Sequence, residues 1–393
     1  MILITFYLTM LAMFFLNIST LFTSVFSSLG ISAGMKSIFI QIVALILATI
    51  ILVFKKKHTK LINELIKLCL VWLPFLTYLA FRTDMGDDYS ELKFWKFVVT
   101  IFFSAFTLVI VYLADIKKFT SIIFPVIVFF GALLIGKAIL DPQVFIYATV
   151  VERLTVDAVN PVWLARSFSM AALCVLFLPI KSKIIKLLGF GLFIYWIIPT
   201  GSRGPLISLF LVLGVRWILL GEVFKIKTVM VRISIVASIL AITVVTMGVI
   251  TQSYLSRGTD KNVFEESGRV MLFTKALNEF KTSPIVGTGL GKYSRTSKST
   301  LVKSNKGYYP HNILLEVLSE LGGIGFILYI ITFRFGAWVF DIKNKFNCMF
   351  LLTLLFSMTS GDLNANAGVV FFAVLARLSH IYAEDSMNVK DSK

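Results

Sequence analysis

Twelve apolar stretches divide this 393-residue chain, and the lysine-rich connectors between them fall on alternate sides. An apolar run of about 20 residues crosses a bilayer core as a helix, because helical backbone satisfies its own polar groups where water is absent. The stretches lie near 3–26, 37–54, 64–81, 97–113, 119–139, 162–180, 187–199, 204–220, 228–250, 312–333, 348–360 and 365–382. Hydrophobic residues make up 58% of the chain and the mean hydropathy is +0.88, which leaves little room for a water-soluble fold. The pattern predicts an all-α, polytopic membrane helix bundle of about 12 transmembrane helices.

The cations fix the expected orientation. Lys55, Lys56, Lys57 and Lys60 form one cluster, Lys117 and Lys118 the next, and Lys181, Lys183 and Lys186 a third. Lys225 with Lys227, and Arg334 with Lys343 and Lys345, complete the series, all in even-numbered connectors. The short odd-numbered connectors hold Asp84, Asp87, Asp88, Glu91, Asp141 and Asp157. Positive-inside bias therefore places both termini in the cytoplasm. It also accounts for the net charge of +17, so a nucleic-acid partner is not expected. The one basic external segment, 251–310 between spans 9 and 10, is long enough to escape the rule.

The first apolar segment lacks a cationic leader and a small-residue cleavage signal, and reads as a retained anchor. Cys69, Cys174 and Cys348 lie in apolar segments without metal-type spacing, which argues against a disulfide or a zinc site. The acidic run Asp84–Asp88 reads as a solvated loop rather than a cation site. The chain divides into amino-terminal helices at 1–154, a catalytic membrane region at 155–383 that includes the loop 251–310, and a cytoplasmic tail at 384–393.

Four constellations fall on the expected external face. Asn160-Pro161-Val162-Trp163-Leu164-Ala165-Arg166 opens the sixth span, with Arg166 about one turn into the membrane. A guanidinium there is costly and needs a wet cavity, a partner or a route to lipid phosphate. It reads either as a snorkelling cation or as an anion ligand. Thr200-Gly201-Ser202-Arg203-Gly204-Pro205 joins spans seven and eight, with Gly204 suited to the cap and Pro205 to the first helical position. A helix amino terminus beside Arg203 is a ready phosphate site, although a plain turn can have this composition.

The third lies in the long loop. Leu272, Phe273, Ala276, Leu277 and Phe280 recur at helical spacing within 267–280, which predicts an amphipathic helix with Arg269 at its start. A glycine-rich turn follows at Ser283–Gly291, without the preceding strand a nucleotide-binding loop needs. The fourth is Pro310-His311-Asn312 leading into the tenth span, which also contains Glu316, Glu320, Gly322, Gly323 and Gly325. His58 and His380 fall at the cytoplasmic side, leaving His311 as the external imidazole. Nearby arginines and a helix amino terminus disfavour the imidazolium, so His311 is expected to accept a proton. Glu316 and Glu320 share a helix face, either orienting the site or pairing with the arginines, while the glycines permit close helix packing.

In this order the pieces resemble the bacterial O-antigen ligase and O-antigen polymerase superfamily of integral membrane glycosyltransferases. The resemblance rests on Gly201-Ser202-Arg203-Gly204, on Ser267-Gly268-Arg269 with the Pro284 to Gly291 turn, and on His311-Asn312 with Glu320-Leu321-Gly322-Gly323-Ile324-Gly325. It covers about 155–375. It implies transfer of a glycan from a polyprenyl (undecaprenyl) diphosphate lipid to an acceptor sugar hydroxyl on the periplasmic face of the bacterial inner membrane, without nucleotide sugar, metal or cofactor. Arg203 and Arg269, with Arg166 assisting, then hold the diphosphate, and His311 is the base. Asn312, Ser202, Glu316 and Glu320 are candidate supporting residues.

Fixed guanidinium groups suit a leaving diphosphate, which gains negative charge in the transition state. The expected partners are the lipid-linked glycan, an acceptor glycan or glycolipid, the bilayer and other envelope-polysaccharide assembly proteins. Between the acceptors, the sequence reading leans to a polymerase over a ligase to lipid A-core. Competing readings are a polysaccharide transporter or flippase, against which no internal repeat is visible, and a structural scaffold.

Overall fold

A computed structural model describes residues 3–8, 36–54, 59–140, 143–147, 151–155, 160–219, 261–295, 309–337, 341–363 and 366–391. Most of the expected span 3–26, all of span 228–250, and Lys55–Lys57, His58, Lys225, Lys227, Asp141 and Asp157 lie outside them. The chain is helical. In order it forms α1 (Lys36–Phe54), α2 (Thr59–Phe81), α3 (Asp88–Phe97), a π-helical turn at Val98–Phe102, α4 (Phe103–Ala114) and α5 (Ile116–Leu140). Strands β1 (Gln143–Tyr147) and β2 (Val151–Thr155) precede α6 (Pro161–Phe177), α7 (Lys183–Ile197), a 3-10 turn at Ile198–Thr200 and α8 (Arg203–Leu219). Then come α9 (Lys261–Thr282), α10 (Lys292–Arg295), α11 (Ile313–Ala337), α12 (Lys345–Ser357) and α13 (Ala367–Asp391).

Four described segments are long and apolar enough to cross a bilayer: Ile62–Phe81, Ile116–Leu140, Lys183–Thr200 and Ile313–Phe333. Shorter apolar helices occupy Ile42–Val53, Ala105–Ala114, Pro161–Phe177, Lys345–Ser357 and Ala367–Ile381. The surface of α7 shows why lipid is the fitting solvent. Ile184, Leu187 and Leu188 are 71%, 67% and 69% exposed on one helix, an apolar face that water would not tolerate at that extent.

The all-α expectation holds, with one short addition: β1 and β2 pair antiparallel, Gln143 opposite Thr155 and Tyr147 opposite Val151. Val144, Phe145, Ile146, Tyr147 and Val151 are of the β-branched and aromatic types enriched in strands. The expected helix at 97–113 is broken by the π turn, where Val98, Val99 and Ile101 crowd the helical χ1 space. The amphipathic helix begins at Lys261 rather than near 267, so Arg269 sits in its interior, not at its start.

The chain folds into two compact units that interleave in sequence. The first comprises Met1–Leu47, Asp115–Thr259 and Asp341–Phe356, and the second Ala48–Ala114, Asp260–Phe340 and Ser357–Lys393. In the first, α6 packs against α5, α7 and α8. Its buried residues Leu164, Phe168, Ala171 and Cys174 line that core. Gly131 lets α5 approach, since a Cβ there would overlap Ala171. In the second, α11 packs against α2, α9 and α13, and α4 against α2 and α13. Trp72 stacks on Phe97 at 6.1 Å and Phe75 meets Tyr329 at 5.5 Å, so aromatic rings fill this core.

Candidate functional site

In the first unit the Gly-Ser-Arg-Gly motif is a built turn. Gly201 adopts φ 63, a left-handed conformation natural to glycine, and ends the 3-10 turn. The Thr200 hydroxyl donates to the Ile197 carbonyl at 2.6 Å and accepts from the Ser202 N–H at 3.2 Å. Thr200 and Ser202 are buried, whereas Arg203 is exposed at the first residue of α8. Pro205 is thus the third helical residue rather than the first, which the helix tolerates because first-turn N–H groups have no intrahelical acceptor. The amino terminus of α8 and an exposed guanidinium share one position.

Arg166 is built differently. It is 4% exposed, with its guanidinium 4.4 Å from the Trp163 ring centre and 5.4 Å from that of Phe356. Its Nη2 donates to the Phe356 carbonyl. Asn160 caps the same helix, its side chain accepting from Val162 N–H at 2.9 Å. Arg166 is neither snorkelling nor on an open face. Ring faces and a backbone carbonyl hold it inside the unit.

In the second unit two motifs that are separate in sequence form one joint. Gly322 has φ 66 and ψ −168, so α11 breaks there into two helical pieces. The glycine-rich turn Ser283–Gly291 enters the break and satisfies its free backbone groups. Thr288 N–H donates to the Ser319 carbonyl at 3.0 Å and Gly289 N–H to the Glu320 carbonyl at 2.8 Å. Gly323 and Ile324 N–H donate to the Pro284 and Ile285 carbonyls at 2.8 and 3.1 Å. A Cβ on Gly287 would overlap the Glu320 backbone, and one on Gly322 would overlap Gly287 and Ile285.

Two residues of the α2 end secure the turn. The Tyr78 hydroxyl lies 2.9 Å from the Leu321 carbonyl and 3.1 Å from that of Val286, while Arg82 Nη2 donates to the Gly287 carbonyl at 2.7 Å. Broken helices are tolerated at membrane depth when other protein groups replace the lost bonds. That is the arrangement here.

Both carboxylates on α11 meet one lysine. Lys93, on α3, places Nζ 2.6 Å from Glu316 Oε1 and 2.7 Å from Glu320 Oε2. All three residues are at most 4% exposed. Burial pulls the Lys93 ammonium down, but Glu316, followed by Glu320, outweighs it and holds the group well above the ordinary lysine range. Glu316 Oε2 also accepts from Leu363 N–H at 2.9 Å. In the acidic connector, Asp87 is buried and accepts from the Ser90 hydroxyl at 2.7 Å, so that run is not wholly solvated as expected. Asp84 lies 3.7 Å from Lys292 in an exposed pair.

His311 stands just ahead of α11. Its φ of 55 makes it the one non-glycine residue at positive φ among the described residues. Histidine is among the few side chains enriched there. Asn312 caps the helix, Oδ1 accepting from Leu314 and Leu315 N–H at 3.0 and 3.1 Å. Its Nδ2 donates to the Met358 carbonyl at 3.4 Å. The Tyr309 ring lies 4.4 Å from the imidazole, and Pro310 is buried. The imidazole is half-buried, at the positive end of the helix.

The second unit thus gathers His311, Asn312, Glu316 and Glu320 on the first turns of α11, with Arg269 on the adjacent α9. The first holds Ser202 and Arg203 at the start of α8, and Arg166 on α6. Sequence reasoning missed Lys93, Tyr78 and Arg82. The available signal was a lysine in a connector expected to be poor in cations.

A helical chain with apolar spans, one of them broken and filled by a glycine turn, defines an integral membrane protein. Residues 188–330 match the family model described as O-Antigen ligase, which supports the O-antigen ligase/polymerase superfamily of membrane glycosyltransferases. The matched stretch includes Arg203, Arg269, the glycine turn, His311 and both glutamates, and excludes Arg166 and Lys93. No curated protein matches the chain.

Proposed function

We propose that this protein transfers a glycan from a polyprenyl diphosphate lipid to a sugar hydroxyl, on the periplasmic face of the bacterial inner membrane. The attacking hydroxyl loses its proton to His311 as its oxygen bonds to the anomeric carbon, and the bond from that carbon to the diphosphate breaks. Polyprenyl diphosphate leaves with the bonding electrons, and the centre inverts. Arg203 and Arg269, with Arg166 assisting, stabilise the charge on the departing diphosphate, so the displacement needs no metal or cofactor. Ser202, Asn312, Glu316 and Glu320 support these groups from behind.

The observation that carries this reading is His311. A non-glycine residue held at φ 55 between a buried proline and a helix-capping asparagine is an imidazole kept in place by its surroundings. Such local geometry is common where chemistry is done. The amino terminus of α8 with exposed Arg203 supports the anion-binding half.

The acceptor distinguishes two versions. A polymerase adds the glycan to another lipid-linked repeat unit, while a ligase adds it to lipid A-core. The matching family is described as O-Antigen ligase; the form of the His311-Asn312 and Glu320-Leu321-Gly322-Gly323 motifs leans to the polymerase. Purified protein in lipid nanodiscs, given polyprenyl-diphosphate glycan and each acceptor in turn without nucleotide or ion gradient, tests the proposal. Product with either acceptor supports glycosyl transfer and identifies the version. Movement of donor across sealed vesicles with no product on either acceptor would mean a transporter instead.

A further inference from the structure

Lys93 lies outside the region that matches the family model, yet it joins two carboxylates on the helix that begins beside His311. The trio is shut from water, and its two acceptors sit one helical turn apart on α11. A buried ion pair contributes little net stability relative to apolar packing, because desolvation offsets the attraction. What it supplies is direction: the ammonium lies 2.6 and 2.7 Å from carboxylates on two successive turns, so rotating or sliding the helix draws at least one of them away. Glu316 extends the grip by accepting from Leu363 N–H at 2.9 Å with its other oxygen. On the same stretch, the Ser319 and Glu320 carbonyls accept from the glycine turn. The piece Ile313–Leu321 is therefore held by side chains and by backbone at once, just below the Asn312 cap.

We propose that Lys93 is a positioning residue: by holding Glu316 and Glu320 together it sets the rotation and height of the first half of α11, and so the aim of His311. It acts through the helix and does not touch substrate. The inference rests on the proposed base role of His311, but its geometric half stands apart from activity.

The experiment uses full-length protein in nanodiscs with Cys69, Cys174 and Cys348 replaced by Ala and His311→Cys introduced as a reporter. Labelling of that introduced thiol by a membrane-impermeant reagent is timed with Lys93 intact, with Lys93→Ala and with Lys93→Arg. The expected result is a severalfold change of labelling rate in Lys93→Ala that Lys93→Arg reverses, since the guanidinium also reaches two carboxylates. With His311 retained, Lys93→Ala should lower kcat by roughly 10- to 100-fold and leave KM for the lipid-linked donor nearly unchanged, the scale of a misaimed catalytic group.

If Lys93→Ala does not fold, the charge-silent variant Lys93→Met with Glu316→Gln and Glu320→Gln replaces it; it should fold and still show the altered labelling. An unchanged labelling rate of the reporter thiol in a folded variant overturns the proposal. Altered labelling with no transferase activity in the parent protein supports the positioning role while sinking the proposed function.

Discussion

Helices α6 and α11 both bury charge, each within its own unit, and the contacts described for the two charges differ in kind. On α11, Glu316 and Glu320 meet an ammonium from another helix at 2.6 and 2.7 Å. On α6, Arg166 is held by a backbone carbonyl and the faces of Trp163 and Phe356. Partners of full opposite charge fix a helix in rotation and height. Ring faces and a carbonyl are more forgiving, because attraction over a ring face changes slowly with small displacements. On the proposed mechanism, the helix that aims His311 has the strict arrangement, and the helix that carries Arg166 has the lenient one.

Substitutions test that contrast, beginning with the largest effect. Gly322→Val should remove most folded protein from the membrane, since φ 66 is closed to a β-branched residue and the Gly287 backbone fills the space a Cβ needs. Thermal denaturation of purified protein measures it; normal Tm would mean the break in α11 is not as tight as described. Glu316→Ala comes next. Removing one partner of a buried pair typically costs about 3–5 kcal/mol, whereas Arg166→Met, which keeps bulk against the rings, should cost about 1 kcal/mol or less. Equal losses in the two variants would erase the contrast between the helices.

Arg203→Lys should leave Tm unchanged and lower the transfer rate by roughly 10- to 100-fold, because lysine keeps the charge and loses the two-pronged donor. A wild-type rate would remove the guanidinium from the diphosphate site. The smallest effect is expected at Asp84→Asn. Its pair with Lys292 is about half exposed on both sides, and such pairs are worth little, so the unfolding free energy should change by less than about 1 kcal/mol, with Tm hardly moved.

Much of the fold was legible because span position follows from hydropathy alone. The expected span 119–139 is Ile116–Leu140 in the structure, and 312–333 is Ile313–Phe333. The start of α11 was also readable, since Pro310-His311-Asn312 gives way there to an apolar run, but the capping role of Asn312 came from the structure. What was not legible depends on pairs far apart in sequence. Lys93 and its glutamates are separated by more than half the chain and follow no periodic pattern. The glycines at 287–291 and at 322–325 each read as a local turn or packing device. Only the fold shows that one fits into the other, and that the second ends a helix rather than smoothing its surface. The hairpin at 143–155 was hidden by its short strands, which hydropathy does not distinguish from a connector.

The central claim is that His311 takes the acceptor's proton, and the rate of glycan transfer per folded molecule by His311→Ala tests it most directly. Nanodisc protein of matched purity and Tm should lose roughly 100- to 10,000-fold in rate relative to the unaltered chain, the range general-base removal gives. A variant that transfers glycan as fast as the unaltered protein would contradict the account.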